Sequence, residues 1–422
     1  MHPYYSLSGR QSIDGGGAGG GGEPPVPLRR DGQHFIRSDN SAIHKYRGLT
    51  AFTALDDWLK GRQDKLIAYA AFTRAMALNT WRIFGVWNNV GLKPEGSYYN
   101  EAKALFRWMK EQGIYAHFVC LCDQVDGSSV RLPKAQQVDH LRRMIEIAKD
   151  TGTVLLEEFN EFEKNDGDGV CGLLDPSSYG AVMGTRTWWG ENANYLQAGS
   201  LLAFTNGHTD RGPEHARKAV QSYIVAREGY DYQRPTSGRA PATNRPHILG
   251  EPRWIAEGST PRQHADYAAL GTWLAGQGSL IHGTFHTLTG RGDTDLQNCV
   301  APEGGVALEC CLAVRDVHLS GLIPADVAAL GRFGHGTVDP LTNAPTNPDC
   351  PLIHQDRVFQ DVWNDYGVLR TYYMEVGGRY YCVPVDPAPN WQPREAPGFT
   401  IVAQGGYQGD GKGGNVFVMR RN

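Results

Sequence analysis

From about residue 46, short apolar runs alternate with stretches that are apolar on one side only. "YRGLTAFTAL" (46–55) reads as a strand, and a helical stretch follows to Leu78. "NTWRIFGVW" (79–87) reads as a second strand. Ala102, Leu105, Phe106 and Met109 then fall at i, i+3, i+4 and i+7, one face of a helix, and Gly113 suits the position just past its end. "IYAHFVCLC" (114–122) is a third strand; Val138, Leu141, Ile145 and Ala148 mark a helix closed by Gly152, and "TVLLEEF" (153–159) is the fourth strand. Repetition of this kind predicts parallel strands joined by crossover helices. Eight such units close a (β/α)8 TIM barrel of about 250 residues, which is the size of the span from 46 to about 320.

The later units continue the pattern. The fifth strand falls near "AVMGTRTWW" (181–189), and "GSLLAFTNG" (199–207) is strand-like. "PEHARKAVQSYIVAREG" opens with proline and ends in glycine, as a helix does. "PHILGEP" (246–252) is a short buried strand, "PRQHADYAALGTWLAG" a helix and "GSLIHGTFHT" the last strand. After about 325 the pattern changes to β. "GVLRTYYMEVGGRYYCVPV" alternates and turns at Gly377–Gly378 like a hairpin, and "GFTIVAQGGY" and "NVFVMRR" add strands. At the other end, "DGGGAGGGG" followed by "EPPVP" has linker composition. The expected division is therefore a flexible Gly/Pro-rich segment over 1–27, a barrel over 28–324 and a small sandwich-like β-rich module over 325–422. The first segment suggests an upstream module as a partner.

The fourth strand ends unusually. Val154–Leu156 is apolar, yet the next five residues hold three carboxylates and an asparagine: Glu157, Glu158, Phe159, Asn160 and Glu161. Burying a carboxylate costs several kcal/mol or shifts its pKa. In a parallel barrel the C-terminal strand ends form the active-site face. Glu161 falls at that rim, and Glu251 closes "PHILG" in the same way. Two carboxyl groups over a barrel centre suit glycosidic cleavage, in which one protonates the leaving oxygen and the other attacks or activates water. Asn160 can donate to a sugar 2-hydroxyl. Glu157 and Glu158 alternate faces: one is expected inside the barrel, paired with Arg82 or protonated His117, and the other against a helix.

A barrel with Asn-Glu closing strand four and a second glutamate closing strand seven resembles the clan A glycoside hydrolases, the cellulase-like retaining enzymes. "DGQHFIRSDNSAIHKYRGLTAF" (31–52) is similar to the opening of such catalytic domains, where a short β-hairpin precedes strand one. The resemblance implies Glu161 as acid/base, Glu251 as nucleophile and Arg82 on strand two as the nucleophile's support. It also implies an aromatic or histidine on strand six, a place His208 can fill, and a tryptophan on strand eight, where this chain offers His282 and His286 on one face and Phe285 on the other. Trp87, Trp188, Trp189 and Trp254 follow strands or sit in loops, as sugar-stacking walls do. The expected function is retaining hydrolysis of a poly- or oligosaccharide without metal or organic cofactor. The competing reading is a non-catalytic carbohydrate-binding or structural barrel of a surface or phage-type assembly.

Composition narrows the partners. Charged residues are 20%, the formal net charge is −4, and no strong basic patch shows, which argues against nucleic acid. No apolar run approaches membrane-helix length, and "MHPYYSLSGR" has no apolar signal core, which argues against classical secretion; extracellular or particle-associated placement is slightly favoured. Eight cysteines do not make a disulfide scaffold. Cys120 and Cys122 are expected as buried thiols on one side of a strand, while Cys299 with Cys310 or Cys311, and Cys350 with Cys382, are possible bridges. "NDGDG" (165–169) lacks the later glutamate of a calcium loop and reads as a turn, and "GDGKGG" (409–414) lacks the end of a phosphate loop.

Overall fold

The computed structural model describes residues 24–32, 34–174, 184–185, 187–188, 204–208, 246–251, 260–269, 278–281, 305–324, 331–337, 349–354, 370–385, 393–411 and 413–422. The chain enters through β1 (Leu28–Asp31) and β2 (His34–Arg37), an antiparallel hairpin extended by β3 (Ile43–His44), as the opening motif suggests. Residues 24–27 are docked before it: Val26 N donates to Tyr115 Oη at 3.0 Å, and Tyr115 Oη donates to Val26 O at 3.0 Å.

A parallel sheet follows. β4 (Arg47–Thr50), β5 (Thr80–Phe84), β6 (Tyr115–Leu121) and β7 (Val154–Phe159) pair in sequence, and β12 (Gly278–Ile281) pairs with β4, β11 (His247–Glu251) with β12 and β10 (Thr205–His208) with β11. β8 (Gly184–Thr185) pairs with β7, and β9 (Thr187–Trp188) pairs with β10. The expected fifth-strand segment thus reaches a neighbour on each side. The first strand is shorter than the run 46–55 suggests. Helix α1 (Ala54–Leu59) begins at once, because Asp57 N donates to Thr53 O at 2.7 Å and acidic Asp56 and Asp57 favour a helix N-terminus.

Side-chain alternation divides the sheet. One face sends Leu49, Trp81, Ile83, Ala116, Phe118, Cys120, Val154 and Leu156 into the main core, against α1, α2 (Gln63–Ala75), α3 (Tyr98–Glu111) and α4 (Lys134–Thr151). The residues read as one face of α3 are all buried there, and Gly113 and Gly152 take the left-handed conformation past their helices, with φ of +82° and +75°. Gly85 has no room for a side chain: a Cβ would stand 2.4 Å from Phe118 Cζ. The other face carries Tyr46, Arg82, His117, Leu155 and Glu157, and its lower part is filled by Leu28 and Phe35 of the hairpin with Phe204 and Ile248. Fully burying a ring such as Phe35 contributes about 2–3 kcal/mol.

The C-terminal part is an antiparallel sheet. With β13 (Arg332–Thr337), β14 (Leu352–His354), β15 (Arg370–Val376), β16 (Arg379–Val385), β17 (Pro393–Glu395), β18 (Phe399–Gly405) and β19 (Val416–Arg421), the five-stranded order is β13-β15-β16-β19-β18, and β14 pairs with β17. Gly377 and Gly378 make the two-residue turn of the β15–β16 hairpin, both at positive φ. One face of the sheet (Tyr372, Met374, Tyr381, Val383, Val416, Val418) packs on Ala265 and Ala269 in and just after α6 (Pro261–Ala268) and on Ala313 and Val317 of α7 (Gly305–Leu319). The opposite face holds Cys350 and Cys382 in one cluster without a bridge between them, and neither Cys310 nor Cys311 is in a disulfide, while Cys299 lies outside the described residues.

Helix α6 is well specified. Thr260 caps it reciprocally with Gln263 and proline occupies its first turn. Its Arg262 then grips the glycine-rich loop after β18: Nη2 donates to Gly413 O at 2.9 Å, Nη1 to Tyr407 O at 3.3 Å, and Nε lies 3.2 Å from Asp410 Oδ2. One turn on, Asp266 Oδ1 accepts from Asn415 Nδ2 at 3.0 Å. Truncating Arg262 strands these acceptors at a buried contact. Arg262→Ala should lower stability by about 2–4 kcal/mol and expose the segment 406–414 to protease before the rest of the chain is cut; urea unfolding and limited proteolysis check both.

Candidate functional site

The expected acid at the strand ends resolves into distinct environments. Glu157 is the inward one. Arg82 Nε donates to its Oε2 at 3.0 Å and Arg82 Nη2 to its Oε1 at 2.9 Å, a two-pronged pair with both side chains fully buried. His117 Nε2 lies 3.0 Å from Glu157 Oε2, and Tyr46 Oη meets His117 Nδ1 at 2.8 Å. Three consecutive strands, β5, β6 and β7, and Tyr46 just before β4 therefore contribute one polar side chain each to a single buried row. Burial pushes the Glu157 carboxyl up, but the charge of Arg82 and the contacts of His117 and Arg82 outweigh it and hold the group at about 2. Glu158 points the other way and meets a turn rather than the expected helix, accepting from Gly172 N at 3.0 Å.

The row ends at the strand tip. Arg82 Nη2 donates to Asn160 Oδ1 at 2.8 Å, and Asn160 Nδ2 faces Cys122 Sγ at 3.7 Å. This fixes which way the amide points: oxygen to the guanidinium, NH2 away from it. Asn165 Nδ2 donates to Asn160 O at 2.8 Å from the short helix α5 (Phe162–Asn165). Between them, Glu161 takes a left-handed backbone, φ +43° and ψ +59°. A non-glycine residue held there costs about 1–3 kcal/mol, and such strain gathers at functional positions. Its side chain is mostly buried, with Oε2 3.8 Å from Lys164 Nζ. A carboxyl beside an oriented amide at a strand C-terminus is equipped to give and take a proton next to a hydroxyl-bearing ligand.

Aromatic rings line the neighbouring strand ends. Phe52, Phe84, Trp87, Val119 and Cys122 form one cluster, with Phe84 stacked on Trp87 at 5.1 Å and Phe52 edge-on to Phe84 at 4.4 Å. Trp87 is only 5% exposed. It backs the strand ends instead of offering an open face to a ligand, because the turn Asn88–Val90 folds it inward and Trp87 and Leu92 bond each other's backbone. Cys122 lies past the end of β6 and joins this cluster, whereas Cys120 is in the helix-side core, so the two thiols do not share a side as their spacing suggests. Phe52, Phe84 and Tyr46 were not candidates from sequence; their strand parity with Arg82 and His117 is the signal that points to them.

On the far strands the backbone carries the information. Glu251 is the last residue of β11, His208 the last of β10, and the two are register partners. Trp188 ends β9 and pairs with Gly207. Trp189, Trp254, His282 and His286 lie outside the described residues. Among those described, no group of three or more His, Cys, Asp or Glu could hold a metal ion, and no helix is long and apolar enough to cross a membrane. Asp166 instead closes the "NDGDG" turn by accepting from Val170 N and Cys171 N at 2.9 and 2.7 Å.

No family model matches the chain. No curated protein sequence matches it either. Solved structures do. A Bacteroides vulgatus protein with a provisional glycoside hydrolase assignment aligns over 90% of this chain and 69% of its own, at 13% identity and a TM-score of 0.53. The β-glucanase of Saccharophagus degradans aligns over 68% of this chain and 95% of its own, at 13% identity and TM-score 0.47. The β-mannanase of the blue mussel Mytilus edulis aligns over 68% and 96%, at 13% identity and TM-score 0.42. At 13% identity the likeness to the Bacteroides vulgatus protein is one of fold.

The Arg82–Glu157 pair yields a prediction with a defined sign. Glu157 ionises at about 2 in the folded chain against an ordinary 4.5, so its contribution, about 3 kcal/mol, is complete above pH 4.5 and fades as pH falls toward 2. Glu157→Gln leaves a buried guanidinium without its counter-charge and should cost about 3–5 kcal/mol at neutral pH. Denaturant melts at several pH values should show the gap between wild type and variant narrowing below pH 4.5.

Proposed function

We propose that the chain is a retaining glycoside hydrolase of a poly- or oligosaccharide, working on a closed (β/α)8 barrel that spans 28–324, with 325–422 as a β-rich companion. Glu161 is the acid/base and Glu251 the nucleophile. The observation that carries this is strand order. Residues 184–185 pair with β7 and residues 187–188 with β10. Counted from β4 they make the fifth strand, β10 the sixth and β11 the seventh, so Asn160–Glu161 follows strand four and Glu251 ends strand seven.

In the first step Glu251 attacks the anomeric carbon while Glu161 gives its proton to the departing glycosidic oxygen. A covalent glycosyl–Glu251 ester and a free hydroxyl on the leaving sugar result. Glu161, now a carboxylate, takes a proton from water, whose oxygen attacks the same carbon and releases Glu251. Asn160, its amide orientation set by Arg82, donates to the 2-hydroxyl of the bound sugar. His208, on the strand beside Glu251, steadies the nucleophile from the sixth strand. Trp188, Trp189, Trp254, His282 and His286 are assigned to sugar contacts at the remaining strand ends, and Trp87 to their backing. Neither step needs a metal or organic cofactor.

Reducing-sugar release from β-glucans, mannans, xylans and bacterial wall glycans tests the assignment. Wild type should act on at least one. Glu161→Gln should lower kcat by about 10²–10⁴ and Glu251→Gln at least as much, and the first product seen by NMR should keep the anomeric configuration of the substrate. Binding without turnover on every glycan would move the chain to a non-catalytic carbohydrate-binding role. The carboxyl groups of Glu161 and Glu251 should lie about 5–5.5 Å apart in a liganded crystal.

A further inference from the structure

Asn160 is anchored before any ligand arrives. Its N donates to Leu121 O at 3.0 Å, its carbonyl accepts from Asn165 Nδ2 at 2.8 Å, and its Oδ1 accepts from Arg82 Nη2 at 2.8 Å. The last torsion of an asparagine side chain has a broad profile, so a bond to the oxygen alone does not set the plane of the amide. The remaining polar atom, Nδ2, donates to Cys122 Sγ at 3.7 Å. An NH2 group carries two hydrogens, and a sulfur that takes one leaves the other for a ligand.

The sulfur is itself held in place. Cys122 is the first residue past β6 and lies buried among Phe52, Phe84, Trp87 and Val119. Gln124 Nε2 donates to Cys122 O at 2.7 Å, and Gln124 N donates to Asn165 O at 3.0 Å. Asn165 is also the residue that holds Asn160 O. The tips of β6 and β7 therefore close into one hydrogen-bonded circuit, from Asn160 to Cys122, on to Gln124, then to Asn165 and back to Asn160. Burial, then the charge of Asp123, push the Cys122 thiol well up, and its hydrogen bond to that carboxylate adds to the shift. The group stays protonated at neutral pH, with its hydrogen given to Asp123 and its lone pairs turned to Asn160. Asp123 is tied in turn to the next loop, where its Oδ2 accepts from Asn88 N at 2.9 Å.

We propose, resting on the glycosidase assignment, that Cys122 is a positioning residue for Asn160: its sulfur takes one amide hydrogen and, with Arg82 on the oxygen, sets the amide plane so that the other hydrogen meets the 2-hydroxyl of the bound sugar. Sulfur is a weak acceptor, so it steers the amide without drawing it away from a hydroxyl. A thiol also suits the aromatic surroundings, since it packs as a small apolar group, whereas an alcohol there would lose more hydration.

Two readouts keep this role apart from the glycosidase assignment itself. The side-chain amide signals of Asn160 are followed by NMR in the nitrogen-labelled full chain, without glycan, in wild type and Cys122→Ala. In the variant they should move and exchange faster with water. Kinetics are then compared on an activated aryl glycoside of the sugar the chain cleaves and on its 2-deoxy counterpart. On the first, Cys122→Ala should lower kcat by about three- to tenfold with KM little changed, because hydrogen bonds to the 2-hydroxyl strengthen in the transition state. On the 2-deoxy substrate, which lacks the group that Asn160 meets, the variant should stay within about twofold of wild type. If Cys122→Ala does not fold, Cys122→Val, which fills the space without an acceptor, replaces it. Unmoved Asn160 signals in a folded variant, or equal losses on both substrates, would overturn the proposal. Should wild type cleave no glycan, the glycosidase assignment fails by itself and the amide signals decide the role of Cys122.

Discussion

A buried guanidinium–carboxylate pair organises the centre of this protein. Arg82 and Glu157 come from β5 and β7, with β6 between them, and neither has any solvent exposure. Each would be intolerable alone at that depth. Their geometry therefore fixes the relative height of three strands, and β6 adds His117 at the same level. The pair also sets something outside the core. Because Nη2 of Arg82 holds Asn160 by its oxygen, a core ion pair dictates the orientation of an amide at the strand tip. The strained turn at Glu161 is built on that anchor, with Asn165 closing it from below.

The same economy appears where the C-terminal sheet meets α6 and α7. Alanines on the helices allow the sheet's tyrosine and valine face to approach closely, and Arg262 and Asp266 fix the glycine-rich loop by its carbonyls and by Asn415. α6 also packs near β12, so it links the C-terminal sheet to the parallel sheet.

The helices and the first four strands were readable because their signals are periodic. Ala102, Leu105, Phe106 and Met109 mark a buried face by spacing alone, and glycines end α3 and α4 where a left-handed residue is needed. The split between Glu157 and Glu158 followed from strand parity, and the hairpin from its two glycines. What parity cannot show is where a strand stops. Cys122 left the strand one residue early and changed sides, and β4 gave way to α1 because Thr53 and Asp57 favour a helix start over a continued strand. The positive φ of Glu161, the inward turn of Trp87 and the grip of Arg262 on a distant loop are tertiary facts with no local signature.

The central claim is that Glu251 forms the covalent intermediate. Incubation with a 2-deoxy-2-fluoro glycoside bearing an activated leaving group, followed by peptide mass spectrometry, tests it most directly. The account predicts one glycosyl adduct per chain, on the peptide holding Glu251, accumulating with loss of activity. An adduct on another carboxylate, or hydrolysis of the natural glycan with inversion and no adduct, would contradict it.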